Sequence, residues 1–233
     1  MILDPSSIVY FEWGFVRITA TLVFTWLTML LLAVTSYLIT RGIKADTEVS
    51  RGQHALEAIL EIMRSQIEQV SRRDASRYMP FIGTMFIFIF VSNVLGIVPG
   101  YISPTGSLNT TIALAFCVFL AVPVFGVSSQ GLGRYLKQYL EPTFIMLPFN
   151  IVSEITRTLS LAIRLYGNVM SANVIIAILL TVVPFLFPVV MQALGLLTGV
   201  IQAYIFAILA IVYIASAVSD DEATKDKTVE EEV

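Results

Sequence analysis

The apolar positions along this 233-residue chain fall into five long blocks separated by short polar or mixed stretches. The blocks cover about 15–39, 80–98, 110–127, 144–183 and 185–217. Each reaches or approaches the roughly 20 consecutive apolar residues that a helix needs to cross a hydrocarbon core of about 30 Å. The expected fold is therefore an all-α integral membrane protein, one membrane domain of five transmembrane helices. The last two blocks exceed a span, so they must tilt or project beyond the lipid, forming a long tilted hairpin. Between the first two blocks the pattern changes. Leu56, Ile59, Leu60, Met63, Ile67 and Val70 recur at spacings of mostly three or four, with Glu57, Glu61, Arg64 and Glu68 between them. That is the signature of an amphipathic helix, expected over about 49–74 and lying on the membrane surface. A shorter surface connector is expected over 132–140, and an acidic, solvated tail over 219–233.

Composition agrees with this environment. Hydrophobic residues make up 57% and charged residues 13%, with a mean hydropathy of +0.83; a soluble domain carries about twice that charged fraction. One cysteine, Cys117, allows no internal disulfide, and one histidine, His54, leaves no basis for a histidine-centred metal or catalytic site. Asp4 and Glu12 precede Arg17, unlike the basic start of a cleaved signal, so the first block is expected to remain as a membrane anchor. Phosphate-binding loops, nucleophile elbows, zinc-binding helices and basic nucleic-acid patches are absent from the sequence. No cofactor, metal or nucleic-acid partner is expected.

Where the basic residues sit sets the orientation. Arg41, Lys44, Arg51, Arg64, Arg72, Arg73 and Arg77 lie in the connection after the first block, and Arg134 and Lys137 in the one after the third. Connections 99–109 and 184–188 carry no charge. The first two are expected in the cytoplasm and the latter two outside, with the N-terminus outside and the tail inside.

Chemistry concentrates in the last two blocks. From Thr158 to Ser219 the only formal charge is Arg164. A guanidinium at membrane depth costs about 2.5–3.5 kcal/mol on insertion scales, so it is retained only where it faces protein, water or a counter-charge. It does not deprotonate and so carries no protons itself; it repels cations, attracts anions, or holds a carboxylate ionised. On a helix Arg157, Arg164, Gly167 and Ser171 share a face, with Asn168 beside it. Small residues there admit a close neighbour. Along the last block Gln192, Gly195, Gly199, Gln202 and Tyr213 form a stripe with Phe206 and Leu209. A glutamine amide oxygen there is able to accept a hydrogen bond from Arg164. The one acid in these blocks, Glu154, lies ten residues before Arg164 and about 80° around the helix, and is better placed to pair with Arg157 three residues on. The counter-charge to Arg164 is thus expected from another polypeptide.

The run Ser160-Leu161-Ala162-Ile163-Arg164-Leu165-Tyr166-Gly167-Asn168 and the later Ile201-Gln202-Ala203-Tyr204-Ile205-Phe206 with Ile211-Val212-Tyr213 resemble subunit a of the membrane (Fo) sector of F-type rotary ATP synthases. Pro80-Phe81-Ile82-Gly83-Thr84 and Ser92-Asn93-Val94-Leu95-Gly96-Ile97-Val98-Pro99 resemble the family's second span. The resemblance runs from about Met79 to Ala217. It implies a non-catalytic, ion-translocating stator subunit with no ATP-hydrolysis site of its own. Its partners would be the c-ring of the rotor, the b subunits of the peripheral stalk and membrane lipid, within a hetero-oligomeric ATP synthase. Its location would be an energy-transducing membrane such as the bacterial plasma (inner) membrane. Arg164 would be the arginine facing the rotor carboxylates, Gln202 would position it, and two half-channels would carry the ion.

The sequence departs from the family pattern nine residues after the arginine, where many members have glutamate and this chain has Asn173, and the final helix has no histidine. Asn93, Asn150, Ser153 and Glu154 are expected to line the ion path instead, with Asn168, Asn173 and Gln192 as further candidates. An amide oxygen at Asn173 suits sodium, since hard cations prefer oxygen, while protons remain the default ion. A self-contained channel or secondary transporter, or a purely structural anchor, are the readings from other classes; the inverted repeats frequent in transporters are not visible here.

Overall fold

The computed structural model describes residues 9–13, 16–41, 61, 64–65, 77–98, 100–133, 135, 146–183 and 187–218. The expected surface helix over 49–74 lies almost wholly outside the described residues, as does most of the 132–140 connector, and the 219–233 tail lies entirely outside them.

The chain begins with a feature that the hydropathy pattern did not separate from the first span. Strands β1 (Val9–Trp13) and β2 (Val16–Thr19) pair antiparallel, Glu12 opposite Arg17 and Trp13 opposite Val16. Helix α1 therefore spans Ala20–Arg41 and begins five residues later than expected. Residues 16–19, VRIT, include three β-branched residues, which read as apolar helix by hydropathy yet fit a pleated strand. The expected all-α membrane domain follows this hairpin.

The further helices described over more than three residues are α2 (Met79–Leu95), α3 (Leu108–Gln130), α4 (Met146–Val182) and α5 (Phe187–Val218), with a 3-10 turn, Pro104–Gly106, between α2 and α3. Among the described residues four helices are long and apolar enough to cross a membrane; α2, at 17 residues, is shorter. Tight turns from Gly96 N–H to Asn93 O (3.1 Å), Ile97 N–H to Val94 O (3.2 Å) and Val98 N–H to Leu95 O (2.9 Å) carry it further. Helices α4 and α5 hold 37 and 32 residues, about 55 and 48 Å at 1.5 Å per residue, and so outreach the hydrocarbon as the sequence implied. The protein is a multi-pass membrane protein.

Helix α5 is the axis of the packing and touches α2, α3 and α4. Its buried positions include Ala203, Ala207, Ala210, Ala217 and Gly199, residues whose small size lets neighbouring backbones approach where no hydrophobic effect drives helices together. One core layer joins Ile82 of α2, Val122 of α3 and Ile211 and Ile214 of α5. A second joins Phe88 and Ile89, Leu114 and Val118, Leu161 and Leu165, and Ala203 and Phe206. At one end the Arg77 guanidinium donates to Ser128 Oγ, and Gln130 Nε2 donates to the Ala217 carbonyl at 3.0 Å, tying α2 to α3 and α3 to α5. Helix α1 stands at the margin, with Trp26, Leu30, Tyr37 and Leu38 exposed as a lipid-facing helix requires.

An arginine level between two cavities

The relative height of α4 and α5 follows from two contacts. Asn168 Nδ2 donates to the Thr198 carbonyl at 3.1 Å, and a Cβ on Gly195 would meet the Ala172 Cβ at 3.4 Å. The helices run antiparallel, so four residues back along α4 and four forward along α5 bring Arg164 and Gln202 to one level. Their settings differ. Leu161, Ala162 and Leu165 are buried at 1%, 2% and 0% exposure and take the inner face of α4, which turns Ile163 and Arg164 outward. Arg157, Arg164 and Ser171 are exposed and Gly167 half-buried on that outer face, whereas Asn168 turns toward α5. Among the described residues Arg164 has neither a hydrogen bond nor an ion pair. Gln202 faces inward at 5% exposure, and its Nε2 is buried without a partner. The register thus makes the two level, and no hydrogen bond joins them.

Cavities lie on either side of this level. One, of about 330 Å³, is lined by Asn150, Ser153, Glu154, Arg157 and Thr158 of α4 and by Tyr213 and Ser216 of α5. In it the Arg157 guanidinium carbon sits 5.8 Å from the centre of the Tyr213 ring, a cation–π distance. The other, of about 340 Å³, is lined by Asn93, Tyr101 and Ser103, by Val169 and Asn173 of α4, and by Gln192 and Gly195 of α5. Along α4 the first ends at Thr158 and the second begins at Val169, eleven residues and about 16 Å apart, with Arg164 between them. The sequence-flagged residues therefore divide. Asn150, Ser153 and Glu154 belong to the first cavity, Asn93, Asn173 and Gln192 to the second, and Asn168, Gln202 and Arg164 to the partition.

Sequence reasoning missed the polar web around the second cavity. Thr105 Oγ1 donates to Asn93 Oδ1 at 2.8 Å, and the single Ser103 hydroxyl proton is shared between Thr105 Oγ1 at 2.8 Å and the Ser92 carbonyl at 3.1 Å. Tyr101 and Thr28 hydroxyls meet at 2.7 Å, joining α1 to the same connection. Burial pushes the Tyr101 phenol up, against the lowering hydrogen bond with Thr28, so it stays neutral and able to donate. The Tyr-x-Ser-Pro-Thr spacing at Tyr101–Thr105 was the available signal, hidden because an uncharged loop reads as a plain turn. Missed as well was the stacking of Arg157 on Tyr213: these residues lie 56 positions apart.

Residues 22–215 match the family of the ATP synthase A chain. The chain is 58% identical to ATP synthase subunit a of Albidiferax ferrireducens over 217 residues, covering 93% of this chain and 94% of that protein. It is 55% identical over 222 residues to ATP synthase subunit a 2 of Acaryochloris marina, covering 95% of each. With ATP synthase subunit a of Nitrosospira multiformis it shares 52% identity over 221 residues, 95% of this chain and 88% of that protein. A match through nearly the whole length, with the Arg164 level and the second cavity inside it, makes this chain a member of the ATP synthase A chain family.

Proposed function

We propose that the chain is the stator subunit a of a rotary ATP synthase and that the outer face of α4 at Arg164 works against the c-ring of the rotor. The observation that carries the reading is an exposed arginine, unpartnered among the described residues, at the midpoint of a helix long enough to cross a membrane and between two separate cavities. A rotor carboxylate moving into the field of a fixed guanidinium has its pKa lowered and releases its ion. Beyond Arg164 it takes up another ion from the second cavity. The guanidinium cannot lose its proton, so the partition stays cationic and opposes direct passage of ions between the cavities. Each elementary charge crossing 100 mV supplies about 2.3 kcal/mol, so several are needed per ATP.

With Arg134 and Lys137 in the cytoplasm, the Glu154 cavity faces the cytoplasm and the Asn173 cavity faces outside. The N-terminus is then outside and the C-terminus cytoplasmic, in a bacterial inner membrane, with b subunits of the peripheral stalk as further partners. The coupling ion in this reading is the proton. A second reading, sodium, is favoured by one observation: the described lining of the outer cavity carries amide and hydroxyl oxygens and no carboxylate.

The decisive experiment is Arg164→Ala in the reconstituted complex. Coupled ATP synthesis is lost while assembly persists, and near-normal coupled turnover refutes the gate. The chain alone in liposomes conducts poorly; free conduction there would instead identify a self-contained channel.

A further inference from the structure

Two asparagines grip α5 one turn before Gln202. From α4, Asn168 Nδ2 donates to the Thr198 carbonyl at 3.1 Å; from α2, Asn93 Nδ2 donates to the next carbonyl, Gly199, at 2.9 Å. In an α-helix these carbonyls accept from the N–H groups of residues 202 and 203, so the amides attach to the backbone bonds that hold Gln202 and Ala203. The grip of Asn93 is tight because residue 199 has no side chain: a Cβ there would stand 3.1 Å from the Asn93 Cβ and 3.2 Å from its Cγ and Nδ2. Its amide is also oriented. A carbonyl only accepts, so Nδ2 must face Gly199, and Oδ1 accepts from Thr105 Oγ1 at 2.8 Å. Thr105 in turn is held by Ser103. Gln202, one turn on, is 5% exposed with its Nε2 unpartnered, so its own hydrogen bonds do not fix its position.

We infer that Asn93 and Asn168 are positioning residues, a two-sided amide clamp that sets the rotation of α5 and so holds Gln202 at the Arg164 level. The inference rests on the functional reading above and extends it, making the outer connection around Ser103 and Thr105 part of the support of the gate. Ordinary polar glue between helices would stabilise the bundle without acting on one position in particular, and the test separates the two.

The test uses the whole ATP synthase in membranes, with Cys117→Ser as background because that thiol is exposed. Gln202→Cys is labelled with a membrane-permeant thiol reagent, and Ile214→Cys, 1% exposed three turns further along α5, is the reference. Adding Asn93→Ala or Asn168→Ala raises the labelling rate at position 202 about tenfold, as expected from losing one or two hydrogen bonds, and leaves position 214 unchanged. Unchanged labelling at 202, or equal acceleration at both positions, overturns the clamp. If Asn93→Ala prevents assembly, Asn93→Ser, which lacks the amide donor, carries the same comparison. In ATP synthesis per assembled complex, Asn93→Ala and Asn168→Ala each lower the rate about fivefold with Gln202 present and less than about twofold beside Gln202→Ala; equal losses in both backgrounds likewise overturn it. Labelling does not depend on whether Arg164 gates ions, so the clamp and the functional reading fail independently.

Discussion

Replacing Gly199 by alanine tests the closest helix approach in the site. The added methyl would sit 3.1–3.2 Å from three atoms of Asn93, so a few tenths of an ångström must be found. Asn93 is poorly able to yield, because its amide is bonded both to the Gly199 carbonyl at 2.9 Å and to Thr105 Oγ1 at 2.8 Å. Either α2 and α5 separate, or Asn93 gives up one or both bonds. Overpacking of this kind costs about 1–3 kcal/mol, and each lost hydrogen bond about 1. If about 1–3 kcal/mol falls on the working arrangement of Gln202, coupled turnover drops by between about fivefold and a hundredfold, at 1.36 kcal/mol per decade. Gly195→Ala is the internal comparison, since its methyl would make an ordinary 3.4 Å contact with Ala172 and is expected to cost under about twofold. The assay is ATP synthesis by proteoliposomes at a fixed ion gradient, normalised to assembled complex. Full activity in Gly199→Ala, or losses of equal size at 195 and 199, refutes the reasoning.

Other perturbations address the cavities and the outer face. Glu154→Gln is expected to reduce ion flux partially by removing the carboxylate from the first cavity; unchanged flux leaves Glu154 as a helix-surface residue near Arg157. Asn173→Glu, assayed under proton and sodium gradients separately, places a titratable group in the second cavity and is expected to alter the response to one of them; no change under either removes the position from the ion path. Among the described residues a Cβ on Gly167 would meet nothing within 4 Å, so Gly167→Leu is expected to leave the subunit folded and inserted while slowing turnover at least tenfold by obstructing a rotor that passes close. Normal turnover in that variant means that no partner approaches α4 there.

Most of the membrane architecture was legible because lipid imposes a single rule: backbone polar groups must be satisfied within a segment, so apolar length alone reports a spanning helix. Arg164 was legible for the same reason, since a permanent cation in an apolar block is too costly to be incidental. The hairpin before α1 was not legible, because hydropathy does not distinguish a β-branched strand from the first turns of an apolar helix. The division of Asn93 from Asn150, Ser153 and Glu154 was also hidden: asparagine reads as polar wherever it stands, and only helix register assigns it to one cavity or the other.

Taken by itself, the sequence determined the number and length of the apolar segments, the isolation of Arg164 and the absence of an acid beside it. The tertiary structure alone decided that Gln202 turns inward at the level where Arg164 turns outward, that the polar residues divide into two cavities, and that Asn93 meets Gly199 across 106 residues of chain. The physical reason is one of range. Transfer from water to lipid acts on each segment independently and is additive along the chain, whereas a helix's rotation and height against its neighbours depend on contacts between residues far apart in sequence.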